Sequence, residues 1–207
     1  EICACLVGSE MCIRDSINGI NNYVEKQGYA VILNNMSLLE KTGNHYSELS
    51  SYQSAISKSI KLFNKTQIDG LVYVAMHDRD VMELIPKLSI PIVLVYCYDT
   101  SKKNYYVTYD NMDVIADVAE YLVKHGHEKI GVIKGAEDSL PSQKRLRSFI
   151  TQLEKAGKEL KEEYIFPGAW EFGDGVKAYE RFKQLEEKPT AIFAMNDLMA
   201  TGLPASE

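Results

Sequence analysis

The chain of 207 residues contains 45% hydrophobic and 25% charged residues, a composition typical of one large globular domain or two smaller ones. Its formal net charge of -6 argues against the chain itself binding nucleic acid, because neutralising phosphates needs a clustered excess of lysine and arginine. The apolar runs are too short for a membrane span and show no secretory signal pattern, so we expect a soluble, cytoplasmic protein without membrane partners.

The first half of the chain alternates apolar helical stripes with short β-rich runs. The first stripe runs through Ile17, Ile20 and Val24 and ends at Gly28, which we expect to be a C′ glycine. Further stripes are formed by Tyr52, Ile56, Ile60 and Phe63, and by Val81, Leu84, Ile85 and Leu88. Buried strands are predicted at residues 29–35, 71–76 and 90–96.

The same rhythm restarts at residue 105. Strands are predicted at 105–109, 129–135, 163–166 and 190–195. Helices are predicted after these strands, with Asn111 as the expected cap of the first and Asn196 as the start of the last. The first three carry apolar stripes: Val114, Val118 and Leu122 in the first, Leu146, Phe149, Ile150 and Leu153 in the second, and Val176, Tyr179, Phe182 and Leu185 in the third. This alternation predicts an α/β protein of two Rossmann-like lobes with parallel sheets, a boundary near Asp110 and a cleft between the lobes.

Common signatures of nucleotide binding and of a serine nucleophile are absent from the sequence. His125 and His127 flank a predicted helix end, where capping explains them better than a metal pair. Cys97 fits a buried small hydrophobe, and the three N-terminal cysteines lack the spacing of a zinc site. We therefore expect no metal, no cofactor and no catalytic residue.

Four side chains follow predicted strands on the edge where open α/β sheets bind ligands. They are Asp110, Arg145, Trp170 and Asp197. Carboxylates accept from paired hydroxyls, an arginine donates to them, and an indole covers the apolar face of a sugar ring, so this set predicts a polyol site. Each residue also has a structural interpretation: the aspartates as helix caps, the arginine as a solvated charge and the tryptophan as a core aromatic.

The sequence resembles the effector-binding core of the LacI/GalR family of bacterial transcription regulators, whose fold is similar to that of periplasmic sugar-binding proteins of type I. The resemblance covers residues 17–202 and rests on YDN at 109–111, AEYLVKHGHEKIGVIKG at 119–135, RLRSF at 145–149 and PTAIFAMNDLMATG at 189–202, in order and at the family's spacing. Trp170 followed by Gly175 also fits, whereas the family prefers glycine at the position of Ser148.

The resemblance implies roles for the same four residues. Arg145 and Asp197 become the polar ligand anchors of the second lobe, Trp170 the stacking wall and Asp110 a contact at the first crossover strand. It further implies a homodimeric regulator in which a sugar or related metabolite changes the affinity for operator DNA through allostery. The DNA contact would come from an N-terminal helix-turn-helix domain outside this chain.

Both ends depart from the family pattern. The string CLVGSEMCIRDS is typical of translated sequencing-adapter sequence, so we expect residues 1–16 to be non-native, although ICACLV is apolar enough to occupy the first strand position. Residues 17–110 are the expected N-terminal lobe and 111–207 the C-terminal lobe. The second lobe is expected to be incomplete, because family members continue beyond it and Pro204 is foreign to the last helix.

Two other functions remain open at this stage. A solute-binding protein of a transporter shares the fold and much of the site chemistry, but would be exported. An α/β enzyme would use Asp110 and Asp197 as an acid/base pair and would show turnover. The spacing of the GH and ND motifs favours the regulator.

Overall fold

A computed structural model describes residues 2–6, 11–37, 49–75, 78–85, 88–101, 103–110 and 112–204, with the backbone alone described at 2–6, 11–12, 49–51 and 64. The chain divides into two compact units, Glu1–Tyr109 and Asp110–Glu207. In the described part of the chain no helix is both long and apolar enough to span a membrane.

The first unit is built on a parallel sheet. Its strands are β1 (Ile2–Leu6), β2 (Val31–Asn35), β3 (Gly70–Val74), β4 (Ile92–Val95) and β5 (Tyr105–Val107). They lie in the order β2-β1-β3-β4-β5, so β1 occupies a central position, with Ala4 opposite Leu33 on one side and Val72 on the other. A short apolar segment suits this position, since an inner strand of a parallel sheet needs mainly hydrophobicity and length. That residues 1–16 are non-native stays a prediction.

Two helices of the first unit follow the predicted stripes. They are α1 (Met11–Lys26) and α2 (Leu49–Lys65). All four stripe residues of α2 are buried, as predicted: Tyr52, Ile56, Ile60 and Phe63. Gly28 adopts φ +82°, which confirms it as the glycine that ends α1, because a left-handed residue after a helix carries no steric cost when it lacks a Cβ.

The helix predicted between β3 and β4 is wrong. The amides of Leu84 and Ile85 both bond to the carbonyl of Val81, so the segment makes a single turn and goes no further as a helix in its described residues. Proline at position 86 explains the stop, since it has no amide proton to donate and disfavours helical backbone in the residue before it. Val81 and Leu84 are nonetheless buried, so their apolar spacing reflects a single packed turn and not a longer helix.

The second unit has its own parallel sheet in the order β7-β6-β8. The strands are β6 (Ile130–Lys134), β7 (Ile165–Pro167) and β8 (Ala191–Ala194). The helices are α3 (Asp113–Lys124), α4 (Leu140–Lys155), α5 (Phe172–Lys183) and α6 (Asp197–Thr201), and a 3-10 turn at Glu162–Tyr164 precedes β7. Parallel sheets with helices in both units confirm the predicted α/β fold class.

Two helices of the second unit bury a face that matches the predicted one only in part. Val114 of α3 is 57% exposed, and the buried residues are Ile115 and Ala119. Val176 of α5 is 42% exposed, whereas Phe182 is buried as predicted, together with Gly175 and Ala178. In α5 the reason is close packing: small residues face inward because α5 and α6 approach backbone to backbone, which larger side chains would prevent.

The two histidines cap and pack as the sequence indicates. His125 is the C-cap of α3, with its ring Nδ1 2.8 Å from the carbonyl oxygen of Tyr121, and Gly126 follows at φ +82°. The ring Nδ1 of His127 lies 3.0 Å from the hydroxyl of Thr190. The His125 ring therefore caps the end of α3, while the His127 ring joins the following loop to the residue before β8.

Candidate functional site

The carboxyl edge of the sheet in the second unit gathers most of the predicted site residues. Because the three strands are parallel, the segments after them emerge at one edge of the sheet. Gly135 follows β6, Trp170 follows β7 after a two-residue spacer, and Met195 to Asp197 follow β8. Arg145 stands on α4, the helix that follows β6.

Arg145 and Trp170 are in direct contact. The guanidinium carbon of Arg145 lies 5.7 Å from the centroid of the Trp170 ring, within the range of a cation–π interaction. The same guanidinium donates from Nη1 to the carbonyl oxygen of Met195, just beyond β8. The arginine is thereby fixed between segments that follow two different strands.

Trp170 is held in a constrained position. Its side chain is 9% exposed and its backbone adopts φ +75°, a left-handed conformation that is costly for a bulky residue. A Cβ added to Gly135 would lie 2.1 Å from Cζ2 of the indole, so the ring occupies space that only glycine leaves open. Gly135, which ends the GVIKG run, therefore leaves the space in which the indole of Trp170 packs.

Hydrogen bonds to Asp174 fix the backbone on both sides of Trp170. Oδ2 of Asp174 accepts from the amide of Ala169 at 2.6 Å and from the amide of Glu171 at 3.0 Å, as part of a capping box at the start of α5. The amide of Gly168 donates to the carbonyl of Lys134, which ties the loop to the end of β6.

Asn196 joins the tryptophan loop to the last helix. Its Oδ1 accepts from the amide of Met199 at 2.8 Å as the N-cap of α6, and its Nδ2 donates to the carbonyl oxygen of Trp170 at 3.0 Å. The sequence indicated Asn196 only as a helix start. The amide could have been suspected from its position after β8 and beside Asp197, but its bond to Trp170 was not predictable from local sequence.

The two aspartates are not bonded to this pair. Asp197 is exposed at the first residue of α6, and Oδ1 of Asp110 accepts from the amides of Met112 and Asp113 at the start of α3. The bonds from Asp113 and then Met112 lower the pKa of the Asp110 carboxyl. Among the described residues, neither carboxylate bonds to Arg145. Asp110 thus acts at the start of α3 as its structural interpretation, a helix cap, requires. Asn111, which the sequence indicated as the cap, lies outside the described residues.

Ser139 is a buried polar residue that the sequence did not single out. It is the N-cap of α4, its side chain is fully buried, and its hydroxyl has no hydrogen-bond partner among the described residues. Ser139, Ser142 and Arg145 are spaced by three residues, which places them on neighbouring turns of one helix face. In the sequence, the three-residue spacing of Ser139 and Ser142 before Arg145 could have indicated that the three residues share a helix face.

Metal ligands and reactive thiols do not converge in the part of the chain that the structure describes. No group of three or more histidine, cysteine, aspartate or glutamate side chains is arranged there to hold a metal ion. Cys97 is fully buried, as predicted for a small hydrophobe, and its burial raises the pKa of the thiol.

Comparisons with known proteins agree on one type of protein. The family model for periplasmic binding proteins and the sugar binding domain of the LacI family matches residues 9–205. An HTH-type transcriptional repressor PurR of Mannheimia succiniciproducens is 29% identical over 197 residues, 90% of this chain and 52% of the relative. Catabolite control protein A of Priestia megaterium is 27% identical over 160 residues, 75% of this chain and 48% of the relative.

Solved structures show the same fold. The crystal structure of the Escherichia coli transcriptional repressor ascG matches with a TM-score of 0.76 at 21% identity, covering 98% of this chain and 70% of that one. The chain spans about half the length of the two curated relatives, with 52% and 48% of their sequences matched.

Proposed function

The chain belongs to the family of periplasmic binding proteins and LacI-type sugar-binding domains, and from this premise we propose that it is the effector-binding core of a transcription regulator. The effector is a sugar or a related small metabolite. The observation that carries the proposal is the contact of Arg145 with Trp170 and with the Met195 carbonyl, at the sheet edge where α/β proteins bind ligands.

The geometry suits a ligand with both polar and apolar faces. The indole of Trp170 forms an apolar wall that is mostly buried, and the guanidinium of Arg145 is a charged hydrogen-bond donor beside it. Asp197 adds an exposed carboxylate at the same edge, and the buried hydroxyl of Ser139 both donates and accepts. Asp110 completes the proposed set as a contact from the start of α3.

The regulatory part of the proposal concerns the whole protein. In the parent, a homodimer in the cytoplasm binds operator DNA through an N-terminal helix-turn-helix, and the effector shifts that affinity by binding one arrangement of the protein better than the other. A coupling of about 1 to 3 kcal/mol is enough for useful control. Relatives that are transcriptional repressors of the PurR type and a catabolite control protein support this function. No catalytic step is part of it.

The alternative is an exported solute-binding protein, which the family's description includes. The two differ in what surrounds the core. A regulator carries a basic helix-turn-helix segment before it, and an exported protein carries a signal peptide, so the upstream reading frame of the gene separates them.

Calorimetric titration of the chain with D-ribose, D-glucose, D-galactose, adenine and guanine tests the binding site. We expect heat of binding with at least one compound, and loss of binding in Arg145→Gln, since a hydrogen bond to a charged group contributes about 1.5 to 3 kcal/mol. Arg147→Gln is the matched control, because Arg147 is exposed on the same helix. Equal affinity in both variants would reject Arg145 as an anchor.

The DNA-binding half of the proposal needs the full-length parent. Operator fragments are followed by fluorescence anisotropy with and without the compound that binds. A change in DNA affinity of about 5- to 150-fold is expected from typical allosteric coupling. An affinity that is the same at saturating compound would reject the regulator.

A further inference from the structure

We infer that Ser148 is a positioning residue, which fixes the carboxylate of Asp110 relative to Arg145 through a hydrogen bond to the backbone of Met112. The inference rests on the proposed function for its effect on binding, although its effect on the backbone at Met112 needs no ligand. Ser148 itself contacts no ligand in this proposal. Glycine, the residue that the family prefers at this position, has no hydroxyl, so the connection is particular to a chain with serine here.

The argument begins with the acceptor that the Ser148 hydroxyl uses. In the interior of a helix, a serine hydroxyl can bond the carbonyl four residues earlier in the same helix. Ser148 lies in the interior of α4, but its Oγ donates at 2.6 Å to the carbonyl oxygen of Met112, 36 residues earlier in the chain. The serine is 6% exposed, so water competes little for this bond. The hydroxyl therefore joins α4 to Met112, the N-cap residue of α3.

Met112 is bonded through both of its backbone polar groups. Its carbonyl oxygen also accepts from the amide of Ala116 at 3.0 Å, and a carbonyl has two lone pairs for two donors. Its amide donates to Oδ1 of Asp110 at 2.9 Å, and the amide of Asp113 donates to the same atom at 3.1 Å. Ser148 thus holds Met112 by the carbonyl, and Met112 holds the Asp110 carboxylate by its amide.

The other end of this connection is Arg145. It precedes Ser148 by three residues on α4, so the two side chains lie on neighbouring turns of the same helix face. Its guanidinium is fixed by the bond to the Met195 carbonyl and by the contact with the Trp170 ring. The helix therefore carries an anchored cation and, one turn later, the hydroxyl that sets the segment bearing Asp110. The separation of the two charged groups depends on the Ser148 bond.

Amide hydrogen exchange, followed by NMR, tests the hold on Met112. In Ser148→Ala we expect the amides of Met112, Asp113 and Ala116 to exchange about 3- to 10-fold faster than in the wild type, beyond any change in β6, the equivalent of one hydrogen bond. Thr151→Ala is the matched control and should leave these amides unchanged, because Thr151 is exposed on the same helix. Exchange that is unchanged, or faster by one factor throughout the second unit, would overturn the inference, since the hydroxyl would then act on global stability alone or not at all.

A double-mutant cycle tests the action through Asp110. The affinity for the compound that binds is measured in the wild type, Ser148→Ala, Asp110→Ala and the double variant. We expect each single variant to bind about 3- to 10-fold more weakly, and the double variant to bind no more weakly than Asp110→Ala, because Ser148 acts only through that carboxylate. Losses that multiply in the double variant, or a Ser148→Ala affinity equal to that of the wild type, would overturn the role in the ligand site.

The two measurements separate this inference from the proposed function. If none of the five compounds binds the wild type while the three amides exchange faster in Ser148→Ala, the proposed function fails and the hold of Ser148 on Met112 is supported. If a compound binds the wild type and Asp110→Ala equally well, the proposed function stands and the positioning role of Ser148 is overturned, since Asp110 would then not contact the ligand.

Discussion

The indole of Trp170 lies directly against Gly135, so closely that a Cβ on residue 135 would meet Cζ2 at 2.1 Å and Cε2 at 2.2 Å. Gly135 ends the apolar run of β6, and Trp170 follows β7, the neighbouring strand. The ring on which Arg145 rests thus depends on a missing side chain 35 residues earlier in the sequence.

Gly135→Ala is therefore expected to displace the indole. Aromatic carbons at these distances cannot remain in place, and overpacking of this kind costs about 1 to 3 kcal/mol. The Trp170 emission spectrum should shift, and unfolding by guanidinium chloride should occur at lower concentration. Gly173→Ala is the control, because a Cβ there meets nothing within 4 Å. A Gly135→Ala spectrum identical to that of the wild type would contradict the contact.

Gly175→Ala is expected to destabilise the second unit. Its Cβ would lie 2.0 Å from the carbonyl oxygen of Met199 and 2.9 Å from Cα of Gly202, and both are backbone atoms that cannot rotate away. The loss should be about 1 to 3 kcal/mol or more in the free energy of unfolding. Gly173→Ala in the same helix should instead be neutral or gain up to about 1 kcal/mol from helix propensity. Equal behaviour of the two variants would exclude the close approach of α5 and α6.

Ser148 departs from the glycine that the family prefers, and the structure gives the serine a function. Its hydroxyl donates to the carbonyl oxygen of Met112 at 2.6 Å, joining α4 to the start of α3. Ser148→Ala should lose about 1 kcal/mol with this bond, and Ser148→Gly about 1 kcal/mol more, because glycine is a poor helix former. Thermal unfolding of the three proteins measures both steps. If Ser148→Gly were more stable than the wild type, the hydrogen bond of Ser148 to Met112 would contribute nothing to the free energy of unfolding.

Asp99 is expected to make the first unit sensitive to acid. Its carboxylate accepts from the hydroxyl and the amide of Ser101 and from Nδ2 of Asn104, and the bond from the Ser101 hydroxyl is the main cause that lowers the pKa of Asp99. A pKa lower in the folded state means that the ionised form stabilises the fold above the unfolded-state pKa. This contribution is lost as the pH falls through the folded-state pKa, below 3.8.

Asp99→Asn measures this contribution. The variant should be less stable than the wild type at pH 7 by about 1 to 2 kcal/mol, and the difference should shrink as the pH falls towards 2. Urea unfolding at pH 7, 5, 4 and about 3 follows it. Asp117→Asn, an exposed position in the second unit, is the control for a simple change of charge. A difference that stays constant with pH would contradict the role of the ionised carboxylate.

Much of the fold followed from local pattern. The stripe of α2 and the strand at 129–135 were predictable because burial repeats every three to four residues in a helix and continues along a covered strand. The helix at 81–88 failed because apolar spacing also describes a packed turn. The buried faces of α3 and α5 were predicted only in part: Phe182 is buried as expected, but alanine and glycine carry little hydrophobic signal, although close helix packing places them inside.

The candidate site, like the fold, could be predicted from the sequence only in part. Arg145, Trp170 and Asp197 could be named from their positions after strands, since parallel strands deliver the following segments to one edge. Ser139 and Asn196 were not named as site residues: Ser139 is indicated only by its spacing before Ser142 and Arg145, and the side-chain bond of Asn196 across 26 residues leaves no trace in the local sequence.

By itself the sequence determined the alternation of strands and helices and the family, because both depend on the order of hydrophobic and turn residues along the chain. Only the tertiary structure decided that Trp170 packs on Gly135, that Arg145 rests on Trp170 and that Asn196 holds the tryptophan backbone. These contacts join residues far apart in sequence, and their energies depend on distances of a few ångströms that are fixed only once the sheet and its helices have packed.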